Sequence, residues 1–241
     1  MFGILTYLKR RRLLKQAFPD AWLQILHDNC EFFAELEGAE RQRFLKHTYL
    51  FAKMKYFFGV QGLDITDTIR VVISAQAARL VRNMPYNIYD GLTEIVVYPS
   101  HYVHKDKDGI ILGEAHRWGV VVLSWDAVKG GLHHPHDGHD TAIHEFAHVL
   151  DNIDGVFDGT PPLDRDALRA WVVAFSAAFD KLRKNPQRKH RVIREYGATN
   201  EAEFFAVATE SFFEKPRQLR RHYPKVYAAL RSYYRIDPAR H

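Results

Sequence analysis

The segment from Asp140 to Asn152 reads DTAIHEFAHVLDN, and it restricts this chain more than any other stretch. Ile143, Phe146, Ala147 and Leu150 fall at i, i+3, i+4 and i+7, which is the spacing of an apolar stripe on an α-helix. His144, Glu145 and His148 spell H-E-x-x-H, and His144, His148 and Asp151 share a different face of that helix. Two histidines four residues apart stand one turn, roughly 6 Å, from each other, so both imidazoles can converge on one ion at Zn–N distances of about 2 Å. Glu145, beside the first histidine, can then reach a water on the ion. The helical context is what separates this motif from a chance match of five residues.

A catalytic zinc takes three protein ligands and keeps its fourth position for water, so a third ligand is required. A metzincin would continue with glycine at 151 and histidine at 154. Here those positions hold Asp151 and Asp154, which leaves an Asp154 ligand conceivable but removes the glycine that turns the chain. The other source is TNEAEFFAVATESFFEKP from Thr199, where Glu203 and Glu210 share a face with Ala206 and Val207. A carboxylate on a partly apolar face needs a partner, because burying it unpaired is costly. Seven residues are about 10 Å of helix, so Glu203 and Glu210 cannot both bind one ion, and spacing alone does not choose between them. Glu201 reads as a first-turn glutamate favoured by the helix dipole. Asp151 either fixes an imidazole N–H, and with it the tautomer, or ends the helix in water.

The strings HEFAHVLD and YGATNEAEFFAV, with the preceding VVVLSWDAV, resemble the Mlc titration factor A family of zinc metallopeptidases (peptidase family M90), itself similar to the catalytic domain of anthrax lethal factor. The resemblance implies a zincin-like α+β fold and one Zn2+ held by His144, His148 and Glu203. It makes Glu145 and Tyr196 the catalytic residues, implies an aminopeptidase preference, and implies a regulatory partner, a transcriptional repressor of the Mlc type linked to glucose uptake control. In that scheme zinc lowers the pKa of its water to about 7, Glu145 takes the water proton and passes it to the leaving amine, and the Tyr196 phenol donates to the oxyanion. The alternative from another class is a non-catalytic zinc-containing binding protein that sequesters a transcription regulator. A structural zinc would normally be closed by four protein ligands, whereas this motif offers three and a general base.

The remainder of the chain sets the frame. A composition 46% hydrophobic and 26% charged suits a folded soluble domain, and the lone Cys30 excludes an internal disulfide and fits a reducing, cytoplasmic setting. Apolar residues 2–8 precede Lys9 to Arg12, the reverse of a secretory signal, and no apolar run approaches the roughly 20 residues that span a bilayer. Residues 1–16 read as a basic arm or amphipathic lead-in, and 17–241 as a single zincin-like catalytic domain with a small sheet packed against several helices. Helical spacing covers Asp20 to Phe58 with a break near Gly38, then Asp67 to Val81, Asp140 to Asn152, Arg165 to Arg183, Thr199 to Phe213 and Lys225 to Tyr234. The β-branched runs Glu94 to Tyr98 and Gly119 to Trp125 read as strands, with a hairpin arm or loop from His101 to Gly113. His133, His134, His136 and His139 with Asp137 and Asp140 form either an accessory metal site or a rim of the cleft. Arg217, Arg220, Arg221, Lys225, Arg231 and Arg235 alternate with Tyr223, Tyr227, Tyr233 and Tyr234, a mixture able to bind nucleic acid. The commoner outcome of such a mixture is a terminal helix with tyrosines inside and arginines in solvent, so nucleic acid stays a minor hypothesis.

Overall fold

The Val-rich runs become the centre of a four-stranded sheet in the computed structural model, which describes residues 2–100, 102–103, 110–111, 113–116, 119–184 and 192–240. In chain order the elements are α1 (Phe2–Leu13), α2 (Asp20–Asn29), α3 (Gly38–Met54), β1 (Tyr56–Gly59), α4 (Asp67–Val81), β2 (Glu94–Tyr98), β3 (Tyr102–Val103), β4 (Ile110–Ile111), β5 (Gly113–His116) and β6 (Val120–Ser124). They continue with α5 (Trp125–His133), α6 (Thr141–Asp151), α7 (Arg165–Lys184), α8 (Glu201–Glu214), α9 (Pro216–His222) and α10 (Pro224–Tyr234). The sheet order is β1-β2-β6-β5, with β1, β2 and β6 parallel and β5 antiparallel on the edge. Strands β3 and β4 pair separately and antiparallel, and the rest of the expected 101–113 arm lies outside the described residues. The architecture is α+β.

Helix α4 joins two apolar clusters. Its Val72, Ile73, Ala77 and Leu80 pack with the sheet, α6, α7, α8 and α10, while Val71, Ala75 and Ala78 pack with α2 and α3. Small and β-branched side chains all round let it be buried on nearly every side, as a fully apolar helix must be. On α6 the predicted stripe of Ile143, Phe146, Ala147 and Leu150 is completely buried. Each of its three large side chains contributes about 1.5–3 kcal/mol on leaving water. That burial fixes the rotation of α6, so the histidine face turns toward α8.

Four elements were not foreseen. Strand β1 continues the apolar spacing of α3, but Lys55 turns extended (φ −95°, ψ 149°) and Tyr56–Gly59 pairs with β2. Strand β5, sequence GEAH, has no β-branched residue and is held by its ladder to β6. Helices α5 and α9 fill stretches read as loop or left unassigned. Cys30 is buried, and burial pushes its thiol up to about 12, outside the reactive range.

Gly159 ties three elements together. Its N–H donates to Asp151 Oδ2 at the end of α6 (2.9 Å), and its carbonyl accepts from Trp171 Nε1 of α7 (3.1 Å). It lies at φ +78°, and a Cβ there would stand 2.3 Å from the Glu201 carbonyl oxygen at the start of α8. Only glycine meets both conditions. Gly159→Ala is expected to cost roughly 2–3 kcal/mol in urea unfolding, from a left-handed backbone plus a backbone clash; an unchanged midpoint would show that the approach to α8 is looser than this.

Candidate metal centre

Asp140 caps the start of α6, its side chain accepting from the Ile143 amide (2.9 Å), and Asn200 caps the start of α8, its side chain accepting from the Glu203 amide (2.9 Å). Both are short oxygen-bearing N-caps that satisfy an orphan N–H. The two helices pack directly on each other, which brings His144, His148 and Glu203 together from distant parts of the sequence. One ligand atom from each lies within 4.8 Å of the others. His144 Nε2 is 2.9 Å from Glu203 Oε2 and 3.1 Å from His148 Nε2, and His148 Nε2 is 3.5 Å from Glu203 Oε2. Among the described residues no other group of three such side chains has this spacing.

Glu210, the competing carboxylate, lies one turn pair further along α8 on the far side of His144. It has no solvent exposure and accepts from His144 Nδ1 (2.8 Å), from Arg194 Nη2 (2.6 and 2.8 Å) and from the Asp140 amide (2.8 Å). Holding Nδ1 fixes the orientation of the His144 ring and leaves Nε2 facing Glu203 and His148. Arg194 also donates from Nε to the Gly138 carbonyl (3.1 Å). Sequence reasoning did not find Arg194, because nothing in its local pattern marks it as the partner of a residue on α8.

The other expected residues fall as follows. Glu145 is buried beside this cluster, and its charge acts on both His144 and Tyr196. Tyr196 precedes α8 in a short 3-10 turn, half exposed, with its ring centroid 5.9 Å from that of His144. Asp151 does not hold an imidazole: it accepts from Gly159, its Oδ1 has no hydrogen-bond partner, and neither has His148 Nδ1. The ring of His148 instead packs against Phe157, with centroids 4.8 Å apart. Asp154 accepts from the Val156 amide and is not in the cluster. His139 uses its backbone N–H on Asp137 and Glu214, and the His133–His139 run forms no converging ligand set among the described residues. Near the C-terminus Tyr227 and Tyr234 are buried while Arg217, Arg220, Arg221, Arg231 and Arg235 face solvent, so the tyrosines serve packing.

Charge is concentrated around the centre. Burial opposes a proton on His144, but the carboxylates of Glu203 and Glu210 outweigh it and hold the imidazole up to about 10. Glu203 goes the other way: burial opposes its charge, and the two imidazoles outweigh burial and hold it well below the carboxylate range. His148 is lowered by burial. For Tyr196, burial and then the Glu203 and Glu145 charges push the phenol up to about 12, so it remains a donor at neutral pH. Behind the centre, burial pushes Asp140 up to about 6 and, with Asp140 repelling it, Glu214 up to about 8, even though Arg79 lies close to both.

The glucose-regulated metallo-peptidase M90 family model matches residues 5–235. An uncharacterised Synechocystis protein is 34% identical, with 99% of this chain and 95% of that protein covered. Proteins named Mlc titration factor A are similar too: that of Edwardsiella ictaluri is 30% identical over 85% of this chain and 84% of its own length, and that of Yersinia pestis 28% over 87% and 83%.

Two outcomes follow from the geometry. Glu203→Ala should abolish metal retention measured by elemental analysis, whereas Glu210→Gln should retain the ion with affinity weakened about 10–100-fold; retention by the first and loss by the second would exchange their roles. Glu214 has a folded pKa above its unfolded one, so its contribution is full below the ordinary 4.5 and is lost as pH rises through about 8. Glu214→Gln stays neutral throughout. Its melting temperature should gain on the parent by several degrees between pH 5 and pH 9, and a difference that stays constant with pH would contradict the assignment.

Proposed function

The chain belongs to the glucose-regulated metallo-peptidase M90 family, and from that membership we propose that it is a zinc-dependent peptidase of zincin-like fold with an aminopeptidase preference. The observation that carries this reading is the convergence of His144 Nε2, His148 Nε2 and a Glu203 oxygen with Glu145 buried alongside. Three electron-rich atoms converge there, His144 Nε2 and His148 Nε2 3.1 Å apart and both within 3.5 Å of Glu203 Oε2, and they need a positive charge among them, whether protons or a cation. A divalent cation meets that need, and two imidazoles with one carboxylate are the donor set of catalytic zinc with a position left open. The antiparallel edge strand β5, packed beside α6, also supports the zincin-like reading, since an extended peptide can pair with such an edge.

In the proposed mechanism, bound zinc would supply Lewis-acid polarisation of the scissile carbonyl and acidify the attacking water. His144, His148 and Glu203 would hold it. Glu145 accepts the proton of the attacking water and delivers it to the leaving amine. The Tyr196 phenol, protonated at neutral pH and half exposed at the mouth of the centre, donates to the carbonyl oxygen as its negative charge develops. Beside His148 a cavity of about 310 Å³, lined by Leu92, Val120, Val149, Ile153 and Phe157, offers an apolar wall to a peptide side chain. The aminopeptidase preference rests on family membership alone. So does the proposed partner, a repressor of the Mlc type, which is taken from the relatives' name. Cytoplasmic placement is part of the same proposal.

Glu145→Gln should keep its zinc and lose at least 100-fold in kcat on chromogenic aminoacyl anilides. Tyr196→Phe should also keep zinc and lose roughly 100–1000-fold in kcat with little change in KM. If Glu145→Gln turns over as fast as the parent, the general-base role is gone; a parent that holds zinc and hydrolyses no anilide or peptide makes the zinc-containing binding protein the better reading.

A further inference from the structure

Every unit of this chain's excess charge lies in one short segment. Of the 34 basic residues, Lys9, Arg10, Arg11, Arg12 and Lys15 stand before the first acid, Asp20, so residues 20–241 carry 29 basic and 29 acidic residues. The formal charge of +5 is therefore the charge of α1 and the turn after it. The same helix exposes a set of large apolar side chains: Ile4 and Leu5 are 66% and 65% exposed, Tyr7 and Leu8 53% and 54%.

The two sets are ordered on one face. The face turned to the protein carries Thr6, Arg10, Leu13 and Leu14, all partly buried and at helical spacing. Arg10 is ion-paired with Asp90, and Gln16 accepts from Tyr49 Oη (2.5 Å), so the helix is held against α3 and the 87–91 turn. At 100° per residue the opposite face carries Ile4, Leu5 and Leu8 in the first two turns, then Arg11 and Arg12, and Lys15 follows in the turn after the helix. An apolar tip and a basic collar thus follow each other within about 12 Å of helix axis. The apolar stretch is far too short to span a bilayer.

We propose that α1 docks this protein on an anionic membrane surface, with Ile4, Leu5 and Leu8 entering the headgroup–acyl boundary and Arg11, Arg12 and Lys15 contacting lipid phosphates. Shallow apolar insertion and a basic cluster attracted to anionic headgroups are two weak signals that together give stable peripheral binding. The charge complementarity is specific to a polyanionic surface, because the rest of the chain is neutral in sum. The outward face that carries Ile4, Leu5 and Leu8 is the convex side of a helix, and a fluid bilayer conforms to it. The inference does not depend on the peptidase reading.

The test is co-sedimentation of the full chain with vesicles of phosphatidylglycerol and phosphatidylcholine in equal parts, against pure phosphatidylcholine, at about 0.1 M salt. Binding to the anionic vesicles only, weakening as salt is raised, is expected. Arg11→Gln with Arg12→Gln should lower the partition roughly thirtyfold, a factor of about five for each basic residue, and Leu5→Ser with Leu8→Ser should lower it at least tenfold. Both pairs are exposed, so circular dichroism melts should match the parent. Equal partition onto neutral vesicles, none onto anionic ones, or an unchanged partition for the arginine pair overturns the proposal. So does a concentration-dependent dimer in sedimentation velocity that Leu5→Ser with Leu8→Ser dissolves, which would assign the tip to a second copy of the chain.

Discussion

The carboxylate of Glu210 has no contact with solvent, and its charge is tolerable only because Arg194, His144 and the Asp140 amide all donate to it. Those donors come from three places: the extended stretch before α8, the histidine face of α6, and the cap of α6. Removing one partner of such a buried pair typically costs about 3–5 kcal/mol, because an uncompensated charge is left behind. The pairing therefore fixes the distance and register between α6 and α8 more tightly than apolar contact would, since apolar surfaces can slide while a fourfold set of hydrogen bonds cannot. It has a chemical consequence as well. Glu210 takes up the Nδ1 side of His144, and the Nε2 side is thereby turned toward Glu203 and His148.

How much of this was legible in the sequence can be judged residue by residue. Helix α6 was readable because two independent periodicities coincide there, the apolar stripe and the histidine pair, and they give the same helix with opposite faces. Glu203 and Glu210 were not separable. Both sit on the same face of α8, both are acidic, and what distinguishes them is which side of His144 each meets, a fact of helix packing. The signal for Glu210 was its partner Arg194, which folding alone brings alongside. Helix α5 was obscured by Gly130 and Gly131, which read as loop. Gly131 is there for packing, since a Cβ would stand 3.0 Å from Asp140 Cγ and hold α5 away from the cap of α6. Strands β1 and β5 were hidden for another reason: each is four residues long, and neighbouring strands supply all their ladder partners.

Most of the buried side-chain polar atoms without hydrogen-bond partners among the described residues lie in one region. His148 Nδ1, Asp151 Oδ1, Asn152 Oδ1, Gln76 Oε1 and Glu214 Oε1 belong to or flank α6 and the end of α8, whereas Arg10 Nε, Ser124 Oγ and Tyr233 Oη lie apart. Asp140 and Glu214, pushed up by burial, sit in the same layer. In a core built for stability alone each of these would be costly and replaceable by an apolar group. Their concentration around His144 and His148 is the pattern expected where local rules are broken for function. The apolar clusters built on the sheet and on α2, α3 and α4 supply the compensating burial.

Preorganisation of the centre follows from how α6 is joined to α8. The glycine that turns the chain after a metzincin helix is absent at 151, yet the turn is made four residues later by Gly155 at φ +85°. The chain then returns to Asp151 through the Gly159 amide, and Gly159 packs its backbone on that of Glu201, two residues before Glu203. The end of the histidine helix and the start of the glutamate helix are thus linked through one residue as well as through Glu210. Neither link involves His144 Nε2, His148 Nε2 or Glu203 Oε2. The entropy of bringing distant ligands together is met by folding, so an ion binding there would find the ligands already in place and would have only protons and water to displace.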